Sequence, residues 1–129
     1  MVMLTEAPML YAILCYHDED VVSAWSKEED DAVLAKRAVL LRRLAGEGRL
    51  GPVVRLMPTT ASVTVRLGNE PLIIDGPFAE TKEQLLGLYI VECPTLEAAI
   101  AAACEMGVGQ SGTFEIRPLR SFQPGTGAT

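Results

Sequence analysis

Three side chains in this sequence have the type and setting for chemistry: His17, Arg37 and Asp75. Asp75 opens the run Asp75-Gly76-Pro77-Phe78. Gly76 precedes a proline, which biases it away from helical backbone, and Pro77 has no N–H. The chain must turn sharply and stiffly here, holding the Asp75 carboxylate in one direction. A general base or a ligand-orienting group needs that fixity. Aspartate also caps its own turn through neighbouring amides, so Asp75 fits a structural corner equally well. Arg37 lies on or beside the apolar stripe of an expected helix, between Leu34 and Leu41. A guanidinium there either snorkels past the stripe or meets a polar partner inside. It cannot shuttle protons near neutral pH, but it can clamp a carboxylate. His17, with Asp18, Glu19 and Asp20, reads as a solvated strand end; it becomes an acid or base if that end reaches a cleft.

His17 is the single histidine, which excludes a multi-histidine metal site, and no metal or cofactor is expected. The cysteines, Cys15, Cys93 and Cys104, are odd in number and form no CxxC. They read as buried thiols of a reducing cytoplasm. P-loop, GxSxG and GxGxxG patterns are absent. Lys82, near Glu80 and Glu83, reads as surface pairing. The net charge of −6 disfavours a phosphate backbone, so no nucleic-acid partner is expected. The apolar run 9–16 is too short to span a membrane, and no signal peptide precedes it, so a cytoplasmic protein with no membrane partner is expected.

A length of 129 residues suggests one domain, over 1–122, with a Gly/Thr/Pro-rich tail at 123–129. Residues 9–16 read as a strand apolar on both faces, as do residues 85–93. Ser26 and Glu29 form a capping box for a helix to about Ala45, with Val33, Leu34, Leu40, Leu41 and Leu44 as its stripe. Residues 50–57 read as extended. Alternation in 61–67 and a return over 71–74 predict a hairpin. Gly87, inside a doubly apolar strand, predicts a bulge or a close backbone approach. Thr95 caps a second helix with Leu96, Ala99, Ile100 and Ala103 inward. Residues 113–117 close the pattern as a strand. Tyr11, Tyr16, Trp25 and Phe78 are the aromatic candidates for lining a pocket.

The order β-α-β, hairpin, β-α-β is the split βαβ arrangement of an α+β, ferredoxin-like fold with an added hairpin. Two helices cover only one sheet face, yet two strands are apolar on both. A second copy would cover the other face, so a homodimer is expected.

The run DGPFAETKEQLLGLYIVE (75–92) resembles the signature of the DGPF branch of the YCII-related family. The LxGPVVRL, TxASVTVR and FEIRPL segments extend the resemblance over roughly residues 9–120. It implies a dimeric α/β barrel built from ferredoxin-like chains. It also implies a site pairing a helix histidine with an aspartate, and Asp75 matches that aspartate. The family's AxHAxFxxxL run corresponds here to Ala35-Lys36-Arg37-Ala38-Val39-Leu40, so Arg37 stands where the histidine would be. The resulting expectation is a small-molecule-binding dimer, a cofactor-free lyase or isomerase of a small anionic substrate. In it Asp75 is the base or orienting carboxylate and Arg37 the anion clamp. The alternative is a non-catalytic binding or regulatory module linked to sigma-factor regulation, with Arg37 and Asp75 as a structural ion pair.

Overall fold

A computed structural model describes residues 9–126. The elements run in the order β1 (Met9–Asp18), α1 (Glu19–Ser23), α2 (Lys27–Gly46), β2 (Leu50–Arg55), β3 (Val63–Arg66), β4 (Leu72–Asp75), β5 (Glu83–Cys93), α3 (Leu96–Met106) and β6 (Thr113–Pro118). The fold is mixed α+β. A four-stranded antiparallel sheet has the order β2-β5-β1-β6, and β3-β4 is a separate hairpin. No closed barrel forms among the described residues.

Helix α2 starts as its sequence dictates. The Ser26 hydroxyl accepts from the Glu29 amide at 3.0 Å, and the Glu29 carboxylate accepts from the Ser26 amide at 2.9 Å. Leu40 and Leu44 of α2 meet Tyr11, Ile13 and Cys15 of β1, and Tyr89, Val91 and Cys93 of β5, in one core. Helix α3 adds Ala99, Ala102, Ala103 and Met106, so both long helices lie on one sheet face. The alternate residues Leu10, Ala12, Leu14 and Leu88 face the other way and stay half-buried. Buried Ile90 belongs to that second face and lies outside the core cluster, against Gly51.

Several expectations need correction. His17 and Asp18 continue β1 instead of ending it, and Asp18 caps α1, which the sequence pattern did not suggest. Leu34 is exposed, because Arg37, Leu40 and Leu44 define the inward line of α2. Leu96 and Ile100 are exposed too; α3 sits so close to the sheet that its contact line is alanine and Met106. Cys15 and Cys93 are buried, but Cys104 is exposed on α3. Phe78 is 80% exposed and lines neither of the two clefts described below.

Asp30 of α2 and Arg55 of β2 tie helix to sheet edge at 2.5 Å. The hydrogen bond from Arg55 holds the Asp30 carboxyl below the ordinary aspartate range. A carboxyl lowered on folding adds stability that is fully present above its unfolded pKa of about 3.9 and fades as pH falls through the lowered folded value. The pair is open to solvent, so its worth is below about 1 kcal/mol. Asp30→Asn is therefore expected to melt slightly lower than wild type at neutral pH. The two should melt together in strong acid, and thermal denaturation at both pH values checks this.

Candidate functional site

Arg37 is placed by the same spacing that builds the core, one turn before Leu40 and two before Leu44 on the inward line of α2. Its guanidinium reaches the sheet. Nε donates to Gln110 Oε1 at 2.9 Å, and one terminal nitrogen donates to the Tyr89 hydroxyl at 3.1 Å. The guanidinium carbon lies 5.2 Å from the Phe114 ring centre and 6.0 Å from that of Tyr89, within cation–π range. Tyr89 stands on β5 and Phe114 on β6, opposite Cys15 of β1, so three strands supply the floor. Gln110 is itself anchored, donating to the Met106 carbonyl at the end of α3 at 2.9 Å.

All of these partners are neutral. The ion pairs of the described residues join Lys27 to Asp31, Arg43 to Glu105, Arg49 to Glu47 and Arg55 to Asp30; none involves Arg37. Arg37 is thus half-buried with N–H groups to spare and no ion pair of its own among the described residues; the Asp30 carboxylate, already paired with Arg55, feels its charge only through space. Cys15, on the same floor, is no nucleophile near neutral pH. Burial pushes its thiol up to about 11, with Arg37 opposing the rise only in part.

His17 follows Cys15 on the helix-facing side of β1, one side-chain repeat further along. Its Nε2 lies 2.7 Å from the Ser111 hydroxyl, and its ring meets Trp25 edge-on at 5.6 Å. Gln110 and Ser111 are neighbours in the chain, so one turn after α3 holds both Arg37 and His17. Sequence reasoning missed Ser111, which stands in no catalytic motif. The only available signal was its place in a glycine-rich stretch after a helix, Gly107 to Gly112.

Asp75 is elsewhere. It ends β4, exposed, opposite Val63 on the hairpin. The hairpin instead holds its corner through the Gly76 backbone: its amide donates to the Ser62 carbonyl at 2.8 Å, and its carbonyl accepts from the Thr64 hydroxyl at 2.8 Å. Asp75 and Arg37 form no ion pair within the described chain. Gly76, Pro77 and Lys82 border a cleft of about 580 Å³ that also carries Asp18, Asp20 and Glu80. Its acidic wall has the wrong sign for an anion. No group of carboxylate, histidine and cysteine side chains among the described residues is arranged to hold a metal ion, and no described helix is long and apolar enough to cross a membrane.

Residues 9–123 match the model of the YCII-related domain. The chain is also 49% identical over 120 residues to an uncharacterised protein of Rhizobium meliloti (strain 1021), covering 91% of this chain and 97% of that protein.

Proposed function

The chain belongs to the YCII-related domain family, and from that premise we propose that it binds a small organic anion at Arg37. One observation carries this reading: a half-buried guanidinium, flanked by two aromatic rings, whose hydrogen-bond partners are all neutral. A charge kept half out of water with no carboxylate directly bound to it is costly, and an anionic ligand supplies that direct partner. The remaining N–H groups match a carboxylate in bidentate fashion.

The working unit in this reading is a homodimer of ferredoxin-like chains, closed as an α/β barrel. Two features support it. The second sheet face carries Leu10, Ala12, Leu14 and Leu88 with no helix of the core over it. The β3-β4 hairpin stands apart from the sheet with Val63, Val65 and Ile73 exposed on one side. A lone two-stranded hairpin is marginal in water, so a covering surface stabilises it. Asp75 shares that side of the hairpin with Val63, Val65 and Ile73, and association there carries its carboxylate into the interface. A base or orienting role for Asp75, as in a lyase or isomerase of the bound anion, belongs to the same proposal.

Native mass spectrometry of the purified protein beside Arg37→Ala tests both parts. The expected wild-type species is a dimer that retains an added small carboxylate. Arg37→Ala should remain dimeric and bind it at least roughly tenfold more weakly. Equal affinity in the variant overturns the anion site, and a monomer overturns the dimer.

A further inference from the structure

We propose that Ser111 and His17 form a nucleophilic pair that takes up the acyl group of small carboxylic esters with a short apolar chain. The two residues lie 94 positions apart, yet Nε2 and Oγ meet at 2.7 Å, the distance at which a histidine can take a serine's proton. The meeting is built into the backbone. Ser111 is followed by Gly112, whose φ is +103°, where L side chains are strained. A Cβ at 112 would stand 2.8 Å from the His17 ring and 2.8 Å from the Tyr16 carbonyl oxygen. Only glycine lets this turn bring the hydroxyl down onto the imidazole.

The ring is held on its other sides. His17 sits in β1 opposite Gln84, and Trp25 packs edge-on against it. Its Nδ1 is buried and has no partner among the described residues. Buried polar atoms are almost always paired, so this one is an exception within the fold. With the proton on Nδ1, Nε2 accepts the Ser111 O–H and is the nitrogen positioned to act as base.

Ser111 is exposed and borders a cleft of about 380 Å³. Ile100, Ala103, Phe114 and Ile116 line the same cleft, a wall suited to a short alkyl chain. The cleft shares Gln110 and Phe114 with the surroundings of Arg37, but the acyl transfer uses neither the Arg37 guanidinium nor an anion bound to it.

In the reaction, Ser111 Oγ adds to the ester carbonyl carbon as its proton passes to His17 Nε2. The tetrahedral intermediate collapses, the bond to the alcohol oxygen breaks, and Nε2 returns the proton to that oxygen. Water then adds to the acyl-serine, giving a proton to Nε2. Collapse releases the carboxylic acid, and Ser111 Oγ recovers that proton. The sum is ester and water giving acid and alcohol, with no redox change.

Full-length protein incubated with p-nitrophenyl butyrate tests this, read by nitrophenol release and by peptide mapping of the acyl group. The expected results are a butyryl adduct on Ser111 and turnover that falls at least roughly a hundredfold in Ser111→Ala. That variant changes an exposed side chain and should keep its fold. His17→Gln should lose the adduct as well, and Ser111→Cys should regain it. Cys104 lines the same cleft and is exposed, so Cys104→Ser is run in parallel. Undiminished hydrolysis in Ser111→Ala, no adduct at Ser111, or an adduct only on Cys104 each overturns the proposal.

Discussion

Gly87→Ala is expected to lower stability by about 2–3 kcal/mol, the range of overpacking in a close-packed interior, and to reduce Tm by roughly 10 °C. Gly87 is buried in β5, where that strand pairs with β1 on one side and β2 on the other. A Cβ there would lie 2.5 Å from the Val54 carbonyl oxygen and 3.4 Å from the Arg55 Cα. Both atoms are backbone, so no rotamer change relieves the contact. The position also adjoins an irregularity: the β1-β5 register passes from Cys15 opposite Gly87 to Tyr16 opposite Leu85. The bend lets β2 approach closely, and glycine makes the approach possible. The strain should fall mainly on the β2 edge, so hydrogen exchange should quicken at Val54 and Arg55 before it does along β1. An unchanged Tm would show that β2 moves aside freely.

Gly112→Ala is expected to cost about 2–3 kcal/mol, combining an unfavourable backbone region with steric conflict. Its contacts are with the His17 ring and the Tyr16 carbonyl, so the turn must lift away from β1. Lifting separates Ser111 from His17 and pulls on Gln110, which holds Arg37. A double-mutant cycle with His17→Ala gives the finer check. Removing the ring removes one conflict, so the double variant should be less destabilised than the sum of the single variants. Strict additivity would show that backbone strain alone carries the penalty.

The features that the sequence made legible have local causes. The Ser26–Glu29 capping box, the Thr95 cap and the doubly apolar strands are short-range patterns, and each appears where expected. Gly87 also shows both expected features, a register shift beside it and a close backbone neighbour. Exposure was harder to read, because it depends on how a helix is rotated and how closely it docks. Leu34 and Ile100 are apolar yet exposed, while alanines form the contact line of α3. Arg37 was legible as an inward candidate from its place between Leu34 and Leu41, although the inward line it joins runs through Leu40 and Leu44 and leaves Leu34 exposed. Its neutral surroundings were not, since Tyr89 and Gln110 come from distant parts of the chain. Ser111 was illegible for the same reason: its partner lies at the opposite end of the sequence.

The pairing of β1 also bears on how the protein is made. β1 is synthesised early, but its hydrogen-bonding neighbours are β5, at residues 83–93, and β6, at 113–118. During translation its backbone groups must wait until β5, and then β6, has left the ribosome. Helix α2 and the β3-β4 hairpin involve only near neighbours and can form first. Until β5 emerges, β1 is an unpaired strand with apolar side chains on both faces, the kind of segment that pairs with other chains at high expression. Slowing translation before β5 would prolong that exposure, and a chain truncated before residue 113 would leave one edge of β1 permanently open.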